Sequence, residues 1–196
     1  MAGAMVKSDI RGSVLFQTSG TFKWKCPEGV TKVSIALVGS GGSGYWENRQ
    51  IGAGGNVRFV NDVPVVPGTE YNITIPSQRA AKNLNADNST SALGYTANST
   101  LSATVLGGNG QQPLQSLGSS MRAGGAVGYV ASGTTGQGIN LLTFTATAPS
   151  SGGRYDGQTA GGGGGYNGSS AGLGAVGAVR ILWGKGRAFP STDIVD

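Results

Sequence analysis

Three features of the sequence predict an all-β protein, a β-sandwich of about seven short strands joined by long, ordered Gly-rich loops that include polyglycine II-like segments. Apolar residues alternate with polar ones at a period of two, the signature of half-buried strands. Turn chemistry separates the alternating runs. Ser, Thr and Asn fill the positions between apolar residues, and these suit strands and turns better than helix interiors.

The strands follow in order. Phe22, Trp24 and Cys26 alternate with Thr21, Lys23 and Lys25. After Pro27-Glu28-Gly29, Val33, Ile35 and Leu37 alternate with Lys32, Ser34 and Ala36. Val57 and Phe59 follow, and then the short stretch 63–66. Val66-Pro67-Gly68-Thr69 then has Pro and Gly where a type II turn needs them, because only Gly takes a positive φ cheaply at the second central position. Tyr71, Ile73 and Ile75 form the next run, then Leu101, Ala103 and Val105, then Leu142, Phe144 and Ala146. Val179, Ile181 and Trp183 close the series around Arg180. The runs 33–38 and 179–183 are the two most apolar, and a sandwich closed by its first and last strands places them side by side or one strand apart. Segment 1–17 reads as an N-terminal arm or attachment segment, and 18–196 as the glycine-rich β-sandwich domain.

Composition narrows the function classes. Of 196 residues 37 are Gly, nearly a fifth, and only 12% are charged, against ~7% and ~25% in average proteins. Ordering Gly in regular structure costs ~0.5–1 kcal/mol more than ordering Ala, so an ordered chain of this composition must pack backbone closely on backbone. There is no His and one Cys, which removes imidazole general bases, Ser-His-Asp and Cys-His nucleophiles and nearly every zinc site. Cys26, on the apolar face with Phe22 and Trp24, reads as a buried structural thiol. The nine carboxylates show no close pair on alternating strand positions, although a glycosidase dyad can be assembled through a fold, with Glu47 and Asp62 the first to test. The expectation is a non-enzymatic protein with no catalytic residue, cofactor or metal. The longest apolar runs fall far short of the ~20 residues of a spanning helix, so no membrane insertion is expected.

Two motifs invite other readings. Gly39-Ser40-Gly41-Gly42-Ser43-Gly44 after a strand matches the dinucleotide fingerprint, but that mechanism needs a helix at the third Gly, and Tyr45-Trp46-Glu47-Asn48 onward has no amphipathic helical pattern. The basic excess, a formal charge of +5, lies at Lys7, Arg11, Lys23, Lys25 and Lys32 near the start and at Arg180, Lys185 and Arg187 near the end. Pairing of first and last strands would gather these into one patch. Outward Lys on edge strands discourages edge-to-edge pairing, and nucleic-acid binding calls for a denser patch with groove-reading elements, so no nucleic-acid partner is expected. The long connections, about 40–55, 77–99, 107–138 and 148–177, exceed what compact domains use without a purpose. They carry Tyr45, Trp46, Tyr95, Tyr129, Tyr155 and Tyr166 among Gly, Ser and Asn. Large amphipathic rings flanked by adaptable hydrogen-bonding groups make binding surfaces, and these six are the candidate receptor contacts.

Ser19-Gly20-Thr21-Phe22, followed by Cys26-Pro27-Glu28-Gly29-Val30-Thr31-Lys32-Val33 and Leu37-Val38-Gly39, resembles the opening of the glycine-rich domain of bacteriophage tail-fibre and other virion structural proteins. Ala53-Gly54-Gly55-Asn56-Val57-Arg58-Phe59-Val60 with Tyr71-Asn72-Ile73-Thr74-Ile75 is similar to its middle. Gly161–165, then Gly177-Ala178-Val179-Arg180-Ile181-Leu182-Trp183-Gly184 and Gly186-Arg187-Ala188-Phe189-Pro190, is similar to its ending. The resemblance covers about residues 13–192 and departs from the family at 77–99, which is Asn/Ser/Thr-rich. It implies a virion protein assembled in the host cytoplasm, a tail-fibre or appendage module of a multi-copy assembly. Its partners are other virion structural proteins and a bacterial surface receptor, a glycan or an outer-membrane protein. A joining, baseplate, neck or capsid-decoration protein without a receptor is the alternative.

Overall fold

A computed structural model describes residues 10–41, 56–75, 97–99, 104–105, 120–122, 139–146, 166–167, 170–190 and 192–195. These contain strands and turns and no helix. The strand segments are β1 (Gly12–Phe16), β2 (Gly20–Lys25), β3 (Lys32–Val38), β4 (Asn56–Pro64), β5 (Glu70–Ile75), β6 (Ala97–Ser99), β7 (Thr104–Val105), β8 (Ser120–Arg122), β9 (Ile139–Asn140), β10 (Thr145–Ala146), β11 (Tyr166–Asn167), β12 (Ser170–Ala171) and β13 (Ala178–Trp183). Only β1 to β5 and β13 reach five residues. All pairings are antiparallel: one sheet runs β1-β13-β3-β4-β8, a second β2-β5-β6-β7, and β9/β10 and β11/β12 form two-stranded ribbons.

The alternation read from the sequence sets the main core. Val33, Ile35, Leu37, Val63, Val179 and Ile181 of the first sheet share one buried cluster with Trp24, Ile73 and Ile75 of the second. Val14, Phe16, Phe22, Tyr71 and Trp183 pack against it. As expected, β3 and β13 are neighbours: Ile181 pairs with Ile35 and Val179 with Leu37. Each fully buried Leu or Ile stabilises by ~1.5–3 kcal/mol, so this pair of central strands anchors the fold.

Both strands are apolar on their other face too. Ala36, Val38, Ala178 and Leu182 form a second buried cluster with Leu141, Phe144, Phe189 and Ile194. Two pieces of chain therefore cover the outer face of the five-stranded sheet: the turn 141–144 between β9 and β10, and the segment 188–195. The sequence reading differs here. Leu142 and Phe144 were expected on an alternating strand, but they lie in a turn, Leu142 46% exposed and Phe144 buried. The Leu142 N–H donates to Asn140 Oδ1 (2.9 Å), an Asx-type bond that turns the chain, and Phe144 takes a φ of 54°. Five residues of segment 1–17 form β1, which pairs with β13 from Gly12↔Trp183 to Phe16↔Val179.

Registers give the sheets two distinct ends. At one, β1 stops at Phe16 beside Val179, β3 stops at Val38 opposite Ala178 and Val57, and β8 stops at Arg122 opposite Asn56. Three residues after β1 the chain returns as β2, whose Gly20 pairs with Ile75, the last residue of β5. The connections after Val38, Ile75 and Arg122 thus all leave from this loop end. The opposite, turn end holds the tight turns. Gly29, Gly68 and Gly186 have φ of 82°, 75° and 79°. Each sits one residue before the N–H that closes a turn: Val30 to the Pro27 carbonyl (3.2 Å), Thr69 to Val66 (3.2 Å) and Arg187 to Gly184 (3.3 Å). A positive φ at the second central position is the type II geometry expected for 66–69, and 27–30 and 184–187 share that positive φ.

Candidate functional site

The described residues place Arg11, Lys32, Lys185 and Arg187 at the turn end. Pairing of β13 with β1, a strand the sequence reading did not foresee, brings Arg11 beside 184–187. A cleft of about 770 Å³ opens there, lined by Ile10, Val30, Lys32, Asp62, Lys185 and Arg187 among others. A smaller hollow of about 460 Å³ lies between Arg11, Ser13, Arg187, Asp193 and Val195.

Local sequence builds the rims. Between Val33↔Val63 and Ile35↔Val60 the register shifts, so Asn61 and Asp62 stand opposite Ser34 alone. This bulge puts Asp62 at a φ of 57°, with its carboxylate 3.9 Å from Lys32 Nζ. Bulges re-aim side chains in this way. Asn61 turns instead to the main chain of Phe189: its Nδ2 donates to the Phe189 carbonyl (2.8 Å) and its Oδ1 accepts from the Phe189 N–H (3.0 Å). Ser34 Oγ donates to the Arg187 carbonyl (3.3 Å).

The basic patch is not the continuous one the sequence suggested. Arg11 pairs with Asp193, Lys23 with Glu70 and Lys32 with Asp62, so carboxylates interleave the cations. Exposed pairs of this kind contribute ~0–1 kcal/mol each. Arg180 leaves the patch altogether. It is 1% exposed, and its guanidinium donates from Nη1 to the carbonyls of Leu141 (2.8 Å) and Leu142 (2.9 Å) and from Nη2 to that of Ile194 (2.5 Å). Its side chain points to the second core because Arg180 alternates with Val179 and Ile181, which face the first. Arg187, also buried, donates from Nε to the Asp193 carbonyl (2.8 Å), from Nη1 to Gly12 (2.7 Å) and from Nη2 to Val195 (3.3 Å). Lys7 lies outside the described residues.

Of the candidate receptor contacts, Tyr45, Trp46, Tyr95, Tyr129 and Tyr155 lie outside the described residues. The connections that carry Tyr45, Trp46, Tyr95 and Tyr129 leave from the loop end. Tyr166 opens β11, opposite Ala171. Of the strand that opens the dinucleotide-like motif, β3 ends at Val38, and the Gly41 N–H donates to the Ala175 carbonyl (3.0 Å); Gly44 lies outside the described residues, as does Glu47. Among the described residues no three His, Cys, Asp or Glu side chains gather as a metal site would need. Cys26 is 1% exposed in the main core, its Sγ 3.3 Å from the Val30 carbonyl. Burial, and secondarily the Glu28 carboxylate, push its thiol above the ordinary range, the opposite of what a nucleophilic cysteine needs.

Sequence reasoning missed Asn61, Arg187 and the segment 188–195 as structural elements. The two-sided apolarity of β3 and β13 was the available signal, since a strand apolar on both faces must be covered on both.

A sequence model described as the glycine-rich domain matches residues 17–188. The chain belongs to this glycine-rich domain family. The match runs from just after β1 to just beyond the 184–187 turn, so the second sheet and every strand of the first except β1 fall within it. No curated protein matches the chain.

Proposed function

We propose that this glycine-rich domain is a β-sandwich module of a bacteriophage virion, non-enzymatic and part of a tail fibre or related appendage, whose Gly-rich connections contact the host surface. The observation that carries the reading is the polarity of the scaffold. Long Gly/Ser/Asn connections leave at one end after Val38, Ile75 and Arg122, and tight turns close the other. A rigid scaffold that projects long connections from one side is the arrangement of proteins that bind through loops. Tyr45, Trp46, Tyr95, Tyr129, Tyr155 and Tyr166 are the proposed contacts, with a surface glycan or an outer-membrane protein as receptor. The turn end, with its cleft and interleaved charges, faces other virion structural proteins in a multi-copy assembly. That same cleft favours a second reading, a joining, baseplate, neck or decorating protein without a receptor.

Particles carrying Trp46→Ala and Tyr129→Ala together test the first reading. Assembly at normal yield with adsorption reduced at least ~10-fold, the loss of ~1.4 kcal/mol of contact, is the expected result. Normal adsorption would overturn it in favour of the joining role.

A further inference from the structure

Arg180 occupies a position that no surface reading explains. It sits mid-strand on β13, buried among Ala36, Val38 and Leu182, and spends its guanidinium on the main chain of two segments far apart in sequence. Nη1 holds the turn 141–144 and Nη2 holds Ile194. The two segments also touch, with the Phe144 and Phe189 rings 5.2 Å apart. Neither lies in a sheet with the strands it covers; their attachment includes apolar packing and bonds from Arg180, Arg187 and Asn61, with the exposed Arg11–Asp193 pair at the rim.

We propose that Arg180 makes the hairpin 139–146 and the segment 188–195 one cooperative unit, which opens and closes as a whole over the five-stranded sheet. A buried guanidinium is tolerable only while its donors are satisfied. When either segment lifts, part of that set is lost and water reaches the cation. Water then supplies replacement bonds, and the other segment loses its advantage as an acceptor. Opening one segment therefore lowers the cost of opening the other, and the coupling is reciprocal. The hairpin is flanked in sequence by the connections that bear Tyr129 and Tyr155, and 188–195 contributes to both hollows at the turn end. The unit thus links the sequence regions of the proposed host contacts to the opposite pole, although the coupling itself stands without that reading.

Amide hydrogen exchange on the full chain tests this. Asn61→Ala removes two bonds to Phe189 and touches nothing in the hairpin. The expected result is faster exchange, by about tenfold for one to two lost hydrogen bonds, at Ala188 and Thr192 and by a similar factor at Leu142 and Thr145, with β3 unchanged. Asn140→Ala, which removes the Asx bond in the hairpin, accelerates Ala188 and Thr192 in return. Acceleration confined to the altered segment in either variant would overturn the proposal. Phe189→Leu decides which contact carries the coupling, because it removes the ring contact and leaves the guanidinium bonds. Persistence of the linked exchange in the Asn140→Ala, Phe189→Leu double variant assigns the coupling to Arg180, and its disappearance overturns that assignment.

Discussion

Gly12 lies against the face of Trp183. A Cβ built on Gly12 would stand 2.5 Å from Trp183 Cζ2, inside any van der Waals contact. Trp183 in turn stacks near Trp24, their rings 5.8 Å apart, so β1 closes the main core by lacking a side chain at this point. Gly12→Ala is expected to force the indole outward at a cost of ~1–3 kcal/mol. Thermal unfolding checks this. A melting temperature equal to that of the unaltered chain would show that Trp183 moves aside freely.

Trp183→Ala removes a partly buried ring from the same contact. Truncation of a core Trp costs ~3–5 kcal/mol, and partial exposure of Trp183 puts its value toward the lower figure. Trp46→Ala, in a connection, should leave the melting temperature unchanged. Equal losses in the two variants would make Trp46 a core residue and remove it from the proposed receptor contacts.

Gly68→Ala and Gly186→Ala separate backbone strain from crowding. Both positions hold a positive φ, 75° and 79°. A Cβ at Gly68 would meet Glu28 Oε1 at 3.1 Å, and one at Gly186 meets nothing within 4 Å. Each variant should lose ~1–2 kcal/mol from the left-handed backbone alone. Denaturant melts giving losses of similar size would confirm strain as the shared cause; a neutral Gly186→Ala would refute it.

The Cys26 thiol has its folded-state titration raised by burial and then by Glu28. A raised value means that the folded chain holds the proton more tightly than the unfolded one. The resulting stability is fully present below the ordinary thiol value of 9.0 and is lost as pH climbs beyond it through the raised value. Unfolding free energy should fall above pH 9 more steeply in the unaltered chain than in Cys26→Ala. Parallel profiles would show that the thiol does not contribute.

The period-two pattern made the main core legible because Val33, Ile35, Leu37, Ile73 and Ile181 all fall on the faces of their strands that meet in one buried cluster. The 66–69 turn was legible because Pro67 and Gly68 occupy the two central positions, where they fix φ. Burial of Arg180 was not, since in a strand alternation it reads as an outward cation; only the covering segments, contributed from positions 141–144 and 188–195, make that face an interior. β1 escaped notice because Val14, Leu15 and Phe16 are consecutive and serve both faces: Val14 and Phe16 pack on the main core and Leu15 on the second. The basic cluster was half legible. Strand pairing brings its members together, and the opposing carboxylates arrive from β4, β5 and the segment after β13, which linear spacing does not reveal.

The proposed virion module would turn its loop end outward from the particle and its turn end inward. Labelling of intact particles with a thiol reagent tests it most directly, using a Cys26→Ala background with a single cysteine introduced either at Ser43, in the connection after β3, or at Lys185, on the turn-end cleft. Rapid modification of Ser43→Cys in particles is expected, with protection of Lys185→Cys in particles but not in the free chain. Protection at Ser43→Cys together with exposure at Lys185→Cys would contradict it.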